Sequence, residues 1–261
     1  MTYQKLKGKV AIITGASRGL GRGLSKAFAT YGARLAVFAR NESALASLKQ
    51  EIESEGGECF FQVCDVMQED AMQRFVEAVI AHYGRIDILL NNAMKTPSGQ
   101  MPEFDNAEFN LVVDSGLKST NVMMNLVQPY MKAQGGGKIL NFTSNAGTRG
   151  AVNAAQPYPA MSGYAAAKMG IVGLSKAAAS LWGAHNINVN CVAPLAKTEA
   201  VEELLETMGV SPDELPDPGV LGRMGDIATD IAPPCAFLCS DEANYITGTV
   251  LAVDGGMSEL G

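Results

Sequence analysis

Histidine is scarce in this 261-residue chain: there are two, His82 and His185, and neither stands at a spacing that would make it a nucleophile's base or a metal ligand. Chemistry built on a histidine triad or a histidine-rich metal site is thereby excluded. Clustered cations are also missing. No lysine or arginine run interrupts a net charge of −7, which argues against nucleic acid or an anionic membrane surface as the main partner. Long apolar runs are lacking too. No stretch of 18 or more uncharged apolar residues occurs, and the start, MTYQKLKGKV, has no apolar signal core, so the expectation is a cytoplasmic protein with no membrane partner. The five cysteines (59, 64, 191, 235, 239) are odd in number and sit mostly in apolar runs, which suits reduced, buried thiols. Cys235 and Cys239 share one helix face, but no histidine or second cysteine pair completes a zinc site, so no metal is expected.

What is present is an alternation of short apolar runs with longer amphipathic ones. Val10–Ile13, Leu35–Phe38, Cys59–Val63, Ile86–Leu90, Lys138–Phe142, Ile187–Val192 and Val250–Val253 read as seven buried parallel strands. Residues 19–31, 42–55, 68–83, 105–132, 162–182 and 226–240 read as helices. The alternation predicts an α/β fold: a single doubly wound (Rossmann) domain over 1–261, with a seven-stranded parallel sheet flanked by helices on both faces. Ligands of such sheets lie at the carboxyl ends of the strands.

The first strand runs directly into Thr14-Gly-Ala-Ser-Arg-Gly-Leu-Gly21, a glycine-rich turn that opens a helix. Gly15, Gly19 and Gly21 let the backbone turn tightly and approach a pyrophosphate, which then meets the free N–H groups at the helix start. With Ser17, Arg18 and Leu20 they form the candidate cofactor loop. At the end of the second strand, Ala39 takes the place where an acid would hold the ribose hydroxyls of NAD, and Arg40 follows it. Arg18 and Arg40 together favour the 2′-phosphate of NADP(H); the alternative is that both are merely solvated. Further on, Tyr164-Ala-Ala-Ala-Lys168 places a phenol and an ammonium one turn apart on an alanine-rich helix, an arrangement that by itself is more often a surface contact than a site.

Taken in order, Thr14 to Gly21, Asp65-Val66, Asn91-Asn92-Ala93, Ser144, Tyr164-Ala-Ala-Ala-Lys168, Asn190 to Pro194 and Val253-Asp-Gly-Gly256 give the chain a close resemblance to the short-chain dehydrogenase/reductase family over essentially its whole length. The resemblance implies a nicotinamide cofactor, interconversion of a ketone and a secondary alcohol, and a homo-oligomer, tetramer or dimer. It implies Ser144, Tyr164 and Lys168 as the catalytic set. Asp65 and Val66 would lie near the adenine, Asn91, Asn92 and Ala93 along the cofactor cleft, and Pro194 and Thr198 near the carboxamide. A phenol is a poor general acid or base at neutral pH, but a neighbouring ammonium favours its anion, which is the use the resemblance suggests for Lys168.

The pattern is broken in places. Gly116 stands where the family has an asparagine whose carbonyl, at a distorted helix turn, holds a relay water; glycine keeps a carbonyl and tolerates distortion, while Asn121 offers a weaker substitute. The stretch between Ser144 and Tyr164 is longer than usual, which predicts an active-site insertion at about 150–163, and a substrate loop is expected at about 194–225. Tyr158 is a decoy, since Ser162 and not a lysine follows it four places on. Met94, Met161 and Leu195 add apolar bulk and suggest a lipophilic small-molecule substrate, steroid-like or acyl; core filling is the plainer use of such methionines. Rival readings are reduction of a conjugated double bond and a cofactor-binding regulator that has lost catalysis.

Overall fold

The computed structural model describes residues 4–95, 106–144, 162–199, 201–203 and 220–257. Seven parallel strands form one sheet in the order β3-β2-β1-β4-β5-β6-β7, with β1 Val10–Thr14, β2 Arg34–Ala39, β3 Glu58–Val63, β4 Ile88–Asn91, β5 Gly137–Phe142, β6 Ile187–Pro194 and β7 Val250–Val253. All seven coincide with the apolar runs that predict them. Every residue of β1 is buried, because helices cover both faces: Ala11 and Ile13 join one apolar cluster and Val10 and Ile12 the other.

The helices are α1 Gly19–Thr30, α2 Glu42–Ser54, α3 Glu69–Tyr83, α4 Asn106–Val113, α5 Ser119–Ala133, α6 Ser162–Trp182 and α7 Ala232–Leu238. Their starts and stops follow side-chain chemistry. The Asn41 side chain caps α2 by accepting from Ala44 N–H at 3.1 Å, and Gly84, at φ 75°, closes α3 in the left-handed conformation. A single helix over 105–132 is not what forms. A π-helical turn, Asp114–Lys118, separates α4 from α5, and a second, Ile227–Ile231, precedes α7. The first π turn carries Gly116, in keeping with the distortion expected there, and packs against α6 at Gly170, where an added Cβ would lie 2.6 Å from Leu117 Cδ2.

Since β1 lies between β2 and β4, the strand order reverses between β1 and β4, and a crevice opens at their carboxyl ends. All five cysteines are free thiols and buried. Among the described residues no helix is long and apolar enough to cross a membrane, and no group of three metal-ligating side chains gathers.

Candidate active site and cofactor cleft

The glycine turn leaves β1 with Gly15 at φ 70° and Gly19 at φ 54°, conformations that L side chains rarely adopt. A Cβ at Gly21 would lie 2.4 Å from the Gly15 carbonyl oxygen and 2.5 Å from Asn92 Nδ2. Close approach of the loop, the helix and the end of β4 therefore requires glycine. The strands are tied at this point: Asn92 N–H and Ala93 N–H donate to Thr14 Oγ1 at 3.0 and 2.8 Å, and the Asn92 amide donates to the carbonyls of Thr14 and Gly15. Such a glycine-lined cradle at a helix N-terminus fits a pyrophosphate.

Other expected cofactor residues fall around the same edge. Arg40 is exposed beyond β2, lining an open hollow with Asn41 and Ser43. Asp65 follows β3 and its carboxylate accepts from Met67 N–H at 3.0 Å, next to Val66. Arg18 is exposed and pairs with Glu203. Pro194 ends β6, and Thr198 Oγ1 accepts from Val201 N–H at 3.3 Å. Asn91 takes a different position from its neighbours: it is buried, and its amide donates to Asn141 Oδ1 at 2.8 Å. Asn141 in turn donates to Ser175 Oγ at 2.8 Å, and Cys191 Sγ to the same hydroxyl at 3.1 Å. The sheet register sets Asn91 beside Asn141 and Asn141 beside Cys191, so this polar row lies under α6 across three strands.

Ser144, just past β5, and Tyr164 and Lys168 on α6 do come together. The Tyr164 hydroxyl and the Ser144 side chain are hydrogen-bonded; burial pushes the phenol above its ordinary pKa, and the Ser144 bond opposes that rise. Lys168 is buried, its Nζ lying 5.4 Å from the centre of the Tyr164 ring and donating to the Phe142 carbonyl at 2.7 Å. Burial brings its pKa down to about 8. Thr143 Oγ1 donates to the Lys168 carbonyl at 2.9 Å and so fixes α6 against the end of β5. The expected lowering of the phenol by its lysine does not show in the protein alone: burial raises the phenol, the Ser144 hydrogen bond is what opposes that rise, and the ammonium is directed at a backbone carbonyl.

At Gly116 the structure shows a reciprocal fit. An added Cβ there would lie 2.9 Å from Met94 Cε and 3.0 Å from its Sδ, so the methionine's thioether fills the space that a larger residue's side chain would need. Gly116's carbonyl accepts from Ser119 Oγ at 3.2 Å, and Ser115 Oγ accepts from Lys95 N–H at 3.1 Å, joining the π turn to the chain after β4. Asn121 is exposed and accepts from Asn125, one turn along its own helix, as an ordinary helix residue would. Leu195 is half-buried beyond β6. Tyr158, Met161 and most of the expected insertion at 150–163 lie outside the described residues, as do residues 200 and 204–219 of the expected substrate loop.

Contacts that the sequence reading missed are Thr14, Asn141, Ser175 and Cys191, together with Glu199 and Glu203. Thr14 opens the glycine loop in the sequence. The rest depend on pairing across the sheet or on chain reversal, and carry no local signal.

A doubly wound sheet with a glycine cradle at its crevice and a Ser–Tyr–Lys cluster beside it defines a Rossmann-type oxidoreductase. The chain belongs to the short-chain dehydrogenase/reductase family, whose members act between CH–OH and C=O with a nicotinamide cofactor. A family model described as enoyl-(acyl carrier protein) reductase matches residues 15–258. The chain is 38% identical over 256 residues to a 3-oxoacyl-[acyl-carrier-protein] reductase FabG of Chlamydia muridarum, covering 97% of this chain and 98% of that protein. To a 12alpha-hydroxysteroid dehydrogenase of a Clostridium species it is 38% identical over 260 residues, covering 97% of each. A solved 7 alpha-hydroxysteroid dehydrogenase complexed with NADH and 7-oxo glycochenodeoxycholic acid superposes with a TM-score of 0.87 at 32% identity, over 99% of this chain and 98% of that one.

Proposed function

We propose that the protein is an NADP(H)-dependent reductase or dehydrogenase interconverting a ketone and a secondary alcohol on a lipophilic substrate. The observation that carries this reading is the hydrogen-bonded Ser144–Tyr164 pair with Lys168 buried beside it at the carboxyl end of β5. Bound NADPH would supply hydride to the carbonyl carbon. Tyr164 holds the proton that goes to the carbonyl oxygen, and Ser144 donates a hydrogen bond to that oxygen as charge develops on it. Lys168, charged below pH about 8, supplies the positive field that steadies the phenolate left behind. Gly15, Gly19 and Gly21 admit the pyrophosphate to the N–H groups at the start of α1. Arg40, and Ala39 in place of an acid, support the 2′-phosphate form over NADH. The solved relative's NADH keeps the cofactor choice open to measurement. Met94 and Leu195, and relatives that act on steroids and acyl thioesters by name, support an apolar substrate.

A screen of steroid ketones and 3-oxoacyl thioesters with NADPH and NADH, followed by absorbance, tests the reading. Turnover with NADPH in preference is expected; equal or better turnover with NADH would refute the cofactor assignment. Tyr164→Phe should lower kcat by at least a hundredfold, from general acid–base contributions, while leaving NADPH affinity within about twofold. Surviving turnover would show that another group carries the proton. The description of the matching family model favours one second reading, reduction of an acyl double bond, and identification of the product distinguishes the two.

A further inference from the structure

The stretch after β6 places two carboxylates on the groups that the cofactor's phosphates need. Ala196 bridges to Gly225: Lys197 N–H donates to the Gly225 carbonyl at 3.0 Å and Gly225 N–H to the Leu195 carbonyl at 3.1 Å, so this stretch is anchored. From Thr198 a helical turn begins, with the N–H groups of Val201 and Glu202 donating to the Thr198 carbonyl at 2.9 and 3.0 Å. The turn directs Glu199 back at α1, where its Oε2 accepts Gly19 N–H at 2.6 Å. Four residues on, Glu203 accepts from Arg18 at 2.5 Å. Glu202, between them, instead faces Lys197 at 3.6 Å.

A first-turn N–H and a guanidinium beside it are anion-binding groups, and here the chain supplies the anions itself. We propose that Glu199 and Glu203 are a built-in competitor for the dinucleotide, Glu199 occupying the pyrophosphate's donor and Glu203 the cation for the 2′-phosphate. NADPH binds by displacing both carboxylates and NADH by displacing Glu199 alone, so cofactor affinity is set partly by residues 180 and 185 places away from the loop. This rests on the reductase reading of the glycine cradle and adds to it a self-inhibitory contact with two separable halves. Glu199 opposes NADH and NADPH alike, since both carry a pyrophosphate. Glu203 opposes NADPH alone.

The contacts are exposed, with Arg18 and Glu203 side chains 60% and 58% accessible, so each carboxylate is worth a modest factor. Calorimetric titration of the full chain with NADPH and with NADH tests the proposal on the wild type, Glu199→Gln, Glu203→Gln, the double variant and Glu202→Gln. Expected is a tightening of about two- to fivefold for both cofactors with Glu199→Gln, and of similar size for NADPH only with Glu203→Gln. Glu202→Gln removes the same charge without touching the loop and should change neither. Unchanged or weaker NADPH binding in the double variant overturns the competitor, as does an equal gain from Glu202→Gln, which would reveal a general field effect. If the wild type binds neither dinucleotide, the reductase reading fails at that point; NADPH binding that appears in the double variant would restore both, and its absence there would end both.

Discussion

Lys168 shows what the proposed catalytic lysine costs the fold. An ammonium on α6 turned into the interior has one strong acceptor in Phe142's carbonyl, and burial lowers its pKa from 10.5 to about 8. Between those values the unfolded chain holds more protons than the folded one, so stability should rise with pH across that window, and the full cost is present below pH 8. Lys168→Met keeps the bulk of the side chain and discards the charge. It should therefore raise stability at pH 7, by about 1–3 kcal/mol, while abolishing turnover. Urea unfolding at pH 7 and near pH 10.5 checks the sign: the gain must shrink at the higher pH, where the wild-type amine is neutral in the fold and already half deprotonated in the unfolded chain. The same titration bears on activity. If Lys168 acts as a cation, kcat/KM for ketone reduction holds below pH about 8 and falls above it, and Lys168→Arg, which stays charged, moves that falling limb to higher pH if the variant turns over.

At the scale of the element, the π turn and the end of β4 behave as one packed unit. Gly116 and Met94 divide a fixed volume, and Ser115 and Ser119 hold the turn from within. Gly116→Ala alone should destabilise by at most about 1 kcal/mol, because its Cβ meets the terminal atoms of the flexible Met94 side chain, which can turn aside, and alanine's better helix propensity offsets part of the clash. Met94→Ala in the same chain should remove that clash, giving a coupling of at most about 1 kcal/mol in a double-mutant cycle read by urea unfolding. Additive effects would mean that the two residues do not share the space. This pair also marks the limit of what the sequence shows. Both departures are visible in the primary structure, as Asn-Asn-Ala-Met and as Asp-Ser-Gly-Leu-Lys, but their mutual fit needs the distance between β4's end and the π turn. Strands such as Val10–Thr14, with every residue buried, announce themselves through local composition. The Asn91–Asn141–Ser175 row does not, since Asn141 lies between apolar neighbours in its strand and its partners are 50 and 34 residues away. Glu199 at Gly19 is hidden for the same reason.

Across the whole molecule, the cleft draws on widely separated parts of the chain: the loop after β1, the ends of β2 and β4, the start of α6 and the stretch after β6. A ligand that touches all of them binds the native state and not the unfolded chain, and so stabilises the entire sheet. Free NADPH at about 100 times its Kd contributes about 2.7 kcal/mol, which for a domain of this size corresponds to a rise in Tm of roughly 5–10 °C. On the proposed NADP(H) reading, Arg40 at the end of β2 would give the 2′-phosphate a cation that NADH cannot use, and Ala39 stands where an acid would favour NADH's ribose. At equal concentration NADPH should therefore raise Tm further than NADH. Arg40→Ala should bring the two shifts together by weakening the NADPH response and leaving the NADH response nearly unchanged. A larger shift with NADH in the wild type would place the discriminating contact elsewhere than the end of β2. If both shifts fell together in Arg40→Ala, the guanidinium would be holding the loop or the adenine side and not the 2′-phosphate.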